Sequence, residues 1–368
     1  MDTTDAPQMI EHINSSLDFT PHDTKWVPTS ARFICCGVST SGTGVLNVYE
    51  LSRGKLTTPQ KIFDIGPIGL RCATFGASNA QMRHVAVGDF GGSLSIVDME
   101  RAAAADSASD SRIFSVKASN AIVNAIDGIS GSTGKSHGAP ELVTGGQDGL
   151  VRVWDPRVNH PVVSLEPEDG MSGRDCWTVA FGDSFNDEER CVAAGYDNGD
   201  LKLFDLRMGG NVRWETNCTN GVTSVEFDRA DIEMNKLVVS TLESRFRIYD
   251  MRTQHPKHGF THASVRAHRS TIWLARHLPQ NRDIFITCGG NGGINLYRYQ
   301  YPLARFKDHP DDGLPIGAMG TTELLNSRII STQPITSFDW SPDKEGLSCL
   351  SSLDQTLRVY IVTKLAKL

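Results

Sequence analysis

The sequence predicts an all-β protein: a ring of seven four-stranded units, closed by an N-terminal strand in the last unit. Three observations carry this. A turn and an alternating strand, ending in an aromatic in all copies but one, return seven times along the 368 residues. Most copies follow a strand ending in small residues, as in HVAVGD, ELVTGG, CVAAGY and IFITCGG. No long window has helical periodicity, and short strands between turn signals mean an all-β array.

The copies read GTGVLNVYE, GDFGGSLSIVD, GQDGLVRVWD, YDNGDLKLFD, LESRFRIYD, GNGGINLYR and LDQTLRVYI. The equivalent position is Tyr49, Val97, Trp154, Phe204, Tyr249, Tyr297 and Tyr360, about every 52 residues. Such units usually repeat every 40–45 or so residues, and insertions account for the excess. An inner strand precedes each pair: KWVPTS, CATFGAS, NAIDGIS, TVAFGDS, TSVEFDR, WLARHLP and TSFDWSP. Each unit therefore has three clear strands and space for a fourth. One such sheet cannot bury both faces alone, whereas radial repetition stacks the faces and leaves short edges. The expected architecture is a single seven-bladed β-propeller over residues 1–368. Only IVTKLAKL follows Tyr360, too little for an outer strand and a tail. The segment 7–14, with Met9-Ile10-Glu11-His12-Ile13 at its centre, is expected to supply the outer strand of blade seven.

Composition fits this reading. The chain is 39% hydrophobic and 21% charged, with net charge −7, so it lacks the broad positive field of a nucleic-acid binder. The start, MDTTDAPQMIEH, has acids where a secretion signal needs cations, and no apolar run approaches membrane-spanning length. The eight cysteines are scattered, form no C-x-x-C pair and sit mostly in apolar runs. Reduced, buried thiols of a cytoplasmic protein are expected. In that compartment the sequons at Asn14 and Asn217 have no role.

The repeats resemble those of the WD-repeat family. Trp154-Asp155 is the full dipeptide; Phe204-Asp205 and Tyr249-Asp250 are near variants. In that family a turn Asp, a Ser/Thr, a loop His and the Trp share a hydrogen-bonded network. Asp148, Thr144 and Trp154 match it in blade three, and Asp354 occupies the turn of blade seven. In blade six His268 and Thr287 match, while Asn291 replaces Asp and Tyr297 replaces Trp. These residues are expected to be structural, because an acid in such a turn bonds backbone.

Candidate chemistry reduces to structure. GSTGKSHG (131–138) ends like a phosphate-binding loop, but Ile129 stands where its first Gly is required, and a Pro-started strand follows in place of a helix. Asp89-Phe90-Gly91 imitates a kinase metal-binding triplet without the companion motifs. His255, His258, His262 and His268 have spacings compatible with metal, but Pro256 and Gly259 favour a loop, and no Cys or acid completes a set nearby. No catalytic residue, cofactor or metal is expected, and the chain reads as non-enzymatic.

Propeller connectivity sorts the loops onto two faces. Second-to-third turns share one face with the loops entering each inner strand. This compact face carries the partner-binding candidates Phe90, Gln147, Arg174, Trp177, Tyr196, Asn220, His268, Arg269 and Asn291, with Arg, Trp and Tyr the favoured anchors. For Trp177 core packing is the competing reading. The long pieces map to the opposite face: 102–111, a small-residue spacer expected to be mobile; GISGSTGKSHGAP in blade three; RTQHPKHGFTHAS in blade five; and a long loop over 303–323, placed in blade seven.

Longer runs, among them RDCWTVAFG, GYDNGDLKLFDLR, MRTQHPKHGF, STQPITSFDWSPDK and DQTLRVYIVTKL, resemble nearly end to end a single-propeller WD-repeat family of axonemal-dynein preassembly factors. That resemblance implies a monomeric cytoplasmic scaffold for cilia and flagella. Its implied partners are a co-chaperone complex with a tetratricopeptide subunit, RuvB-like ATPases and prefoldin-like subunits, and its clients axonemal dynein chains; a link to apoptosis is also implied. An alternative follows from Arg157, Arg207 and Arg252, each two positions after the Asp. This resembles the W-D-x-R box of substrate receptors of cullin-based ubiquitin ligases, with an intrablade salt bridge as the plainer reading.

Overall fold

A computed structural model describes residues 6–63, 66–79, 81–104, 111–129, 141–165, 174–185 and 188–367. Among these, seven four-stranded antiparallel sheets form a seven-bladed propeller. Their inner strands are Thr20–Trp26, Leu70–Thr74, Val123–Gly128, Cys176–Gly182, Val222–Phe227, Ile272–Leu278 and Ile335–Trp340. Each touches the next, and blade seven touches blade one, so the ring is closed. Second strands such as Cys191–Tyr196 and Lys236–Thr241 are buried on both faces between neighbouring blades. That is why they read as small and apolar runs rather than as alternation.

The ring closes as expected, two residues later than expected. Met9–Ser16 pairs antiparallel with Thr356–Val362, from Met9 opposite Val362 to Ser16 opposite Thr356. The Tyr360 hydroxyl donates to Glu11 at 2.8 Å, and Asn326 of blade six donates to the Pro7 carbonyl at 2.7 Å.

Several connections differ from the sequence reading. Residues 303–323 belong to blade six, not blade seven. The third strand of blade six, Gly293–Gln300, pairs with an outer strand that begins only at Thr321. The intervening chain forms its own hairpin, Phe306–Asp308 with Pro315–Gly317, which packs on blade five. RTQHPKHGFTHAS is no long loop either. The third strand of blade five runs to His255 and the outer strand starts at Gly259. Gly259 has φ +65, and a Cβ there would lie 2.3 Å from Trp214 Nε1, so the tight turn needs glycine. Of 102–111, the first residues complete a helix, Met99–Ala104, whose N-terminus Asp98 caps through the N–H groups of Glu100 and Arg101. Residues 105–110 and the GSTGKSHG stretch lie outside the described residues.

The Asp89-Phe90-Gly91 turn is structural: Asp89 accepts the Ser93 N–H at 2.7 Å. All eight cysteines are buried and unpaired, and burial pushes the Cys72 thiol up to about 12. No helix among the described residues is long and apolar enough to cross a membrane.

Candidate functional site

The compact face is assembled from backbone. In blades two to seven the residue after the second strand, or one beside it, donates its N–H to the loop entering the same blade. Phe90 bonds Gly69, Gln147 bonds Ile122, Asp197 bonds Asp175, Leu242 bonds Gly221, Gly290 bonds Thr271 and Leu353 bonds Pro334, all at 2.8–3.0 Å. The second-to-third turns and the entering loops therefore form one surface.

Each of the seven inner strands also carries a β-bulge at the equivalent place beside this surface. The extra residues are His22, Arg71, Asn124, Trp177, Thr223, Trp273 and Thr336. A bulge re-aims one side chain without disturbing the register beyond it. Here several reach the following blade. His22 packs edge-on against Phe90 at 5.1 Å, Asn124 donates to the Cys176 carbonyl at 3.0 Å, and Thr223 donates to the Ile272 carbonyl at 2.5 Å.

The expected contact residues divide by burial. Gln147, Arg174 and Arg269 are exposed, and Phe90, Trp177, Asn220 and Asn291 are half-buried. Tyr196 is a correction: it is 3% exposed and packs with Val151, Leu165 and Phe204 between blades three and four. As the last residue of a second strand it is covered by the neighbouring blade, so it presents no surface. His268 is also buried, its ring bonded to Thr287 at 2.8 Å. Trp273, 37% exposed, and Leu242, 36% exposed, join the face without having been read from the sequence. Period-two patterning cannot reveal a bulge, which is the device that turns Trp273 outward.

The network residues hold structure together. Trp154 donates its indole N–H to Thr144 at 2.9 Å. Asp148 accepts the Leu150 and Asn120 N–H groups and pairs with Arg152 at 3.1 Å. Asp354 pairs with Arg358 at 2.8 Å and accepts from Ser331 at 2.8 Å. Blade six differs from blade three: Thr287 is taken by His268, while the Tyr297 hydroxyl meets Asn295 at 3.3 Å.

Acids on the inner strands escaped the sequence reading. Asp127 accepts the Phe181 N–H at 2.8 Å, Glu226 the His277 N–H at 2.7 Å, Asp339 the Trp26 N–H at 2.7 Å and Asp23 the Ala73 N–H at 2.9 Å. Each bond ties one blade to the next around the axis. Asp127, Glu226 and Asp339 occupy the same repeat position, a signal visible in NAIDGIS, TSVEFDR and TSFDWSP. Burial pushes Glu226 up, but Arg276 at 2.8 Å outweighs it and holds the carboxyl below its ordinary range. Asp23 is likewise pushed up by burial and held down by Lys25 at 2.6 Å. Asp339 has no ion pair among the described residues, and burial outweighs the more distant Lys25 and Arg276 and raises it to about 6.

On the opposite face the W-D-x-R arginines are ion-paired. Arg157 Nε and Arg207 Nε donate to their own Asp155 and Asp205 at 3.0 and 2.9 Å. The Arg252 guanidinium instead meets Glu233 at 2.6 Å, while Arg305 of the blade-six insertion pairs with Asp250 at 3.1 Å. The histidines separate too. His262 packs on Tyr249 and His268 lies in blade six, while His255 and His258 gather with His309 and Asp312 of the insertion. His255 Nδ1 accepts the Lys257 and His258 N–H groups at 3.1 and 3.2 Å, which puts its proton on Nε2, 3.2 Å from Asp312. Both ring nitrogens are engaged, and the group is a hydrogen-bonded clasp rather than a cation cradle. His309 and Asp312 were out of reach of the sequence reading, which treated their segment as loop.

Comparison with known proteins agrees with this architecture. The family model described as "WD domain, G-beta repeat" matches residues 110–155 and 325–360. The chain is 52% identical over 365 residues to dynein axonemal assembly factor 10 of Xenopus laevis, covering 99% of each chain. It is 52% identical over 369 residues to the Homo sapiens protein of the same description and 50% over 370 residues to that of Chlamydomonas reinhardtii, covering each in full.

Proposed function

The chain belongs to the dynein axonemal assembly factor 10 family of WD-repeat proteins, and from that membership we propose that it assists the assembly of axonemal dyneins. It does so as a non-catalytic, monomeric scaffold in the cytoplasm, before the motors reach the axoneme. The observation that carries this is end-to-end similarity at about half identity to relatives of that description in a frog, a human and a green alga.

The physical reading supports a scaffold. Inner-strand acids such as Asp127, Glu226 and Asp339 hold the blades together, and the compact face offers accessible side chains such as Arg174, Arg269 and Trp273. Arg174, Trp177 and Arg269 are the contacts assigned there to partners, since large side chains with both apolar and charged parts dominate interfaces. The partners are a co-chaperone complex, with a tetratricopeptide subunit, RuvB-like ATPases and prefoldin-like subunits, and dynein chains are the clients. The test is affinity purification of the tagged chain from the cytoplasmic extract of a ciliated cell, followed by mass spectrometry. Recovery of dynein chains with co-chaperones is expected. Recovery of neither overturns the proposal.

A further inference from the structure

Blade five places Arg245 and Arg266 directly opposite each other on its third and outer strands. Like charges at such a cross-strand pair are destabilising, because their Cβ atoms lie only about 5 Å apart. Among the described residues no carboxylate pairs with either, nor with Arg269 at the entry to blade six; Arg245 has Ser264 as a polar partner at 3.4 Å. These three arginines, with Glu243, line a cleft of about 430 Å³ on the compact face. The cleft therefore carries three positive groups against one negative group, on a chain whose net charge is −7.

One lining residue of the cleft is apolar. This is Leu242, whose carbonyl accepts the Thr271 hydroxyl at 3.2 Å. Leu242 also leans over Gly221 beside the Trp177 ring; a Cβ on Gly221 would lie 3.2 Å from one and 2.7 Å from the other. Trp273, two residues beyond the lining residue Thr271, stands on its bulge, 37% exposed. An apolar step across blades four to six thus abuts a basic cleft.

We infer that this cleft binds an extended acidic peptide segment, with its carboxylates on Arg245, Arg266 and Arg269 and an adjacent apolar side chain on Leu242 and Trp273. Guanidinium groups suit carboxylates because their donors match them in pairs. The bound acids would also relieve the repulsion between Arg245 and Arg266. The inference rests on the compact face being the partner face, and it names the chemistry of the partner.

The test uses the purified full chain and a fluorescein-labelled peptide, Asp-Glu-Asp-Glu-Leu-Phe, read by anisotropy. Saturable binding that weakens as salt rises is expected. The double variant Arg266→Glu with Arg269→Glu is expected to weaken it tenfold or more, and Trp273→Ala severalfold. Lys257→Glu, a single charge reversal on the opposite face, is expected to leave it within twofold, and Arg266→Glu alone, the matching single reversal in the cleft, is expected to weaken it severalfold. Circular dichroism melts establish that the variants are folded, and Arg266→Gln supplies a milder change if the double variant is not. Equal binding of a Lys-for-acid control peptide, an unchanged Kd in the arginine variants, or an equal loss in Lys257→Glu overturns the inference. So does absence of binding by the wild-type chain. The assay contains no dynein or chaperone, so its failure leaves the assembly role to be decided by the purification described above.

Discussion

Arg305 donates to Asp250 at 3.1 Å and so takes, from an insertion of blade six, the carboxylate that corresponds to those Arg157 and Arg207 hold within their own blades. The same guanidinium reaches Asn235 at 2.9 Å. Beside it Tyr301 accepts from Asn235 at 2.8 Å and from the buried Lys236 at 2.9 Å. The insertion is therefore fastened to blade five by charge and hydrogen bonds, with an exposed hairpin at its tip.

Arg305→Ala leaves Asp250, 3% exposed, without its cation. A loss of about 2 kcal/mol is expected, the usual scale for a hydrogen bond to a charged group. Chemical denaturation measures it. Limited proteolysis is expected to cut within 302–320 earlier than in the wild type, since the hairpin loses its anchor.

Thr144→Val removes the acceptor of the Trp154 indole N–H in a buried site. The stranded donor is expected to cost about 1–3 kcal/mol. Trp154→Phe alone loses packing as well. Adding Thr144→Val to Trp154→Phe is expected to cost much less than Thr144→Val alone, and a double-mutant cycle by denaturant unfolding reads the difference.

Asp339 supplies a pH dependence with a defined sign. Its folded pKa, about 6, lies above its ordinary value, so the native state holds the proton to higher pH than the unfolded chain does. The resulting penalty is absent below about pH 4, grows as pH rises towards 6 and stays constant beyond; a shift of this size corresponds to about 3 kcal/mol. Asp339→Asn keeps an oxygen for the Trp26 N–H. It is expected to raise Tm at pH 7.5, with the gap shrinking as pH falls to 4.5 and closing below about pH 4, as followed by scanning calorimetry.

Removal of residues 1–16 strips the outer strand from blade seven and bares the edge of Thr356–Val362. An unpaired edge recruits other strands. The shortened chain is expected to self-associate in analytical ultracentrifugation and to melt at lower temperature than the full chain.

Legibility in the sequence followed locality. Trp154, Thr144 and Asp148 lie within one repeat, so their pattern survives in the linear chain. The closing strand was found because too few residues follow Tyr360 to complete a sheet. The Arg305–Asp250 pair and the His255–Asp312 clasp span more than fifty residues and enter through an insertion without a counterpart among the described residues of other blades, so no periodicity announces them. Tyr196 was misplaced for a related reason: its burial is decided by the adjoining blade. The bulges at Trp177 and Trp273 were invisible because register is a property of two strands together.

Pairing of Met9–Ser16 with Thr356–Val362 also sets an order of events in the cell. A strand made before all seven inner strands is among the last to find its place. At about 5–20 residues per second, synthesis of the intervening chain takes roughly 20–70 s. Throughout that interval the apolar Met9 and Ile13 lack their partner strand Thr356–Val362, and the blades already made form an open arc. A protein proposed to guard unfinished motors thus passes through its own unfinished stage, in which a nascent-chain chaperone has a defined segment to hold.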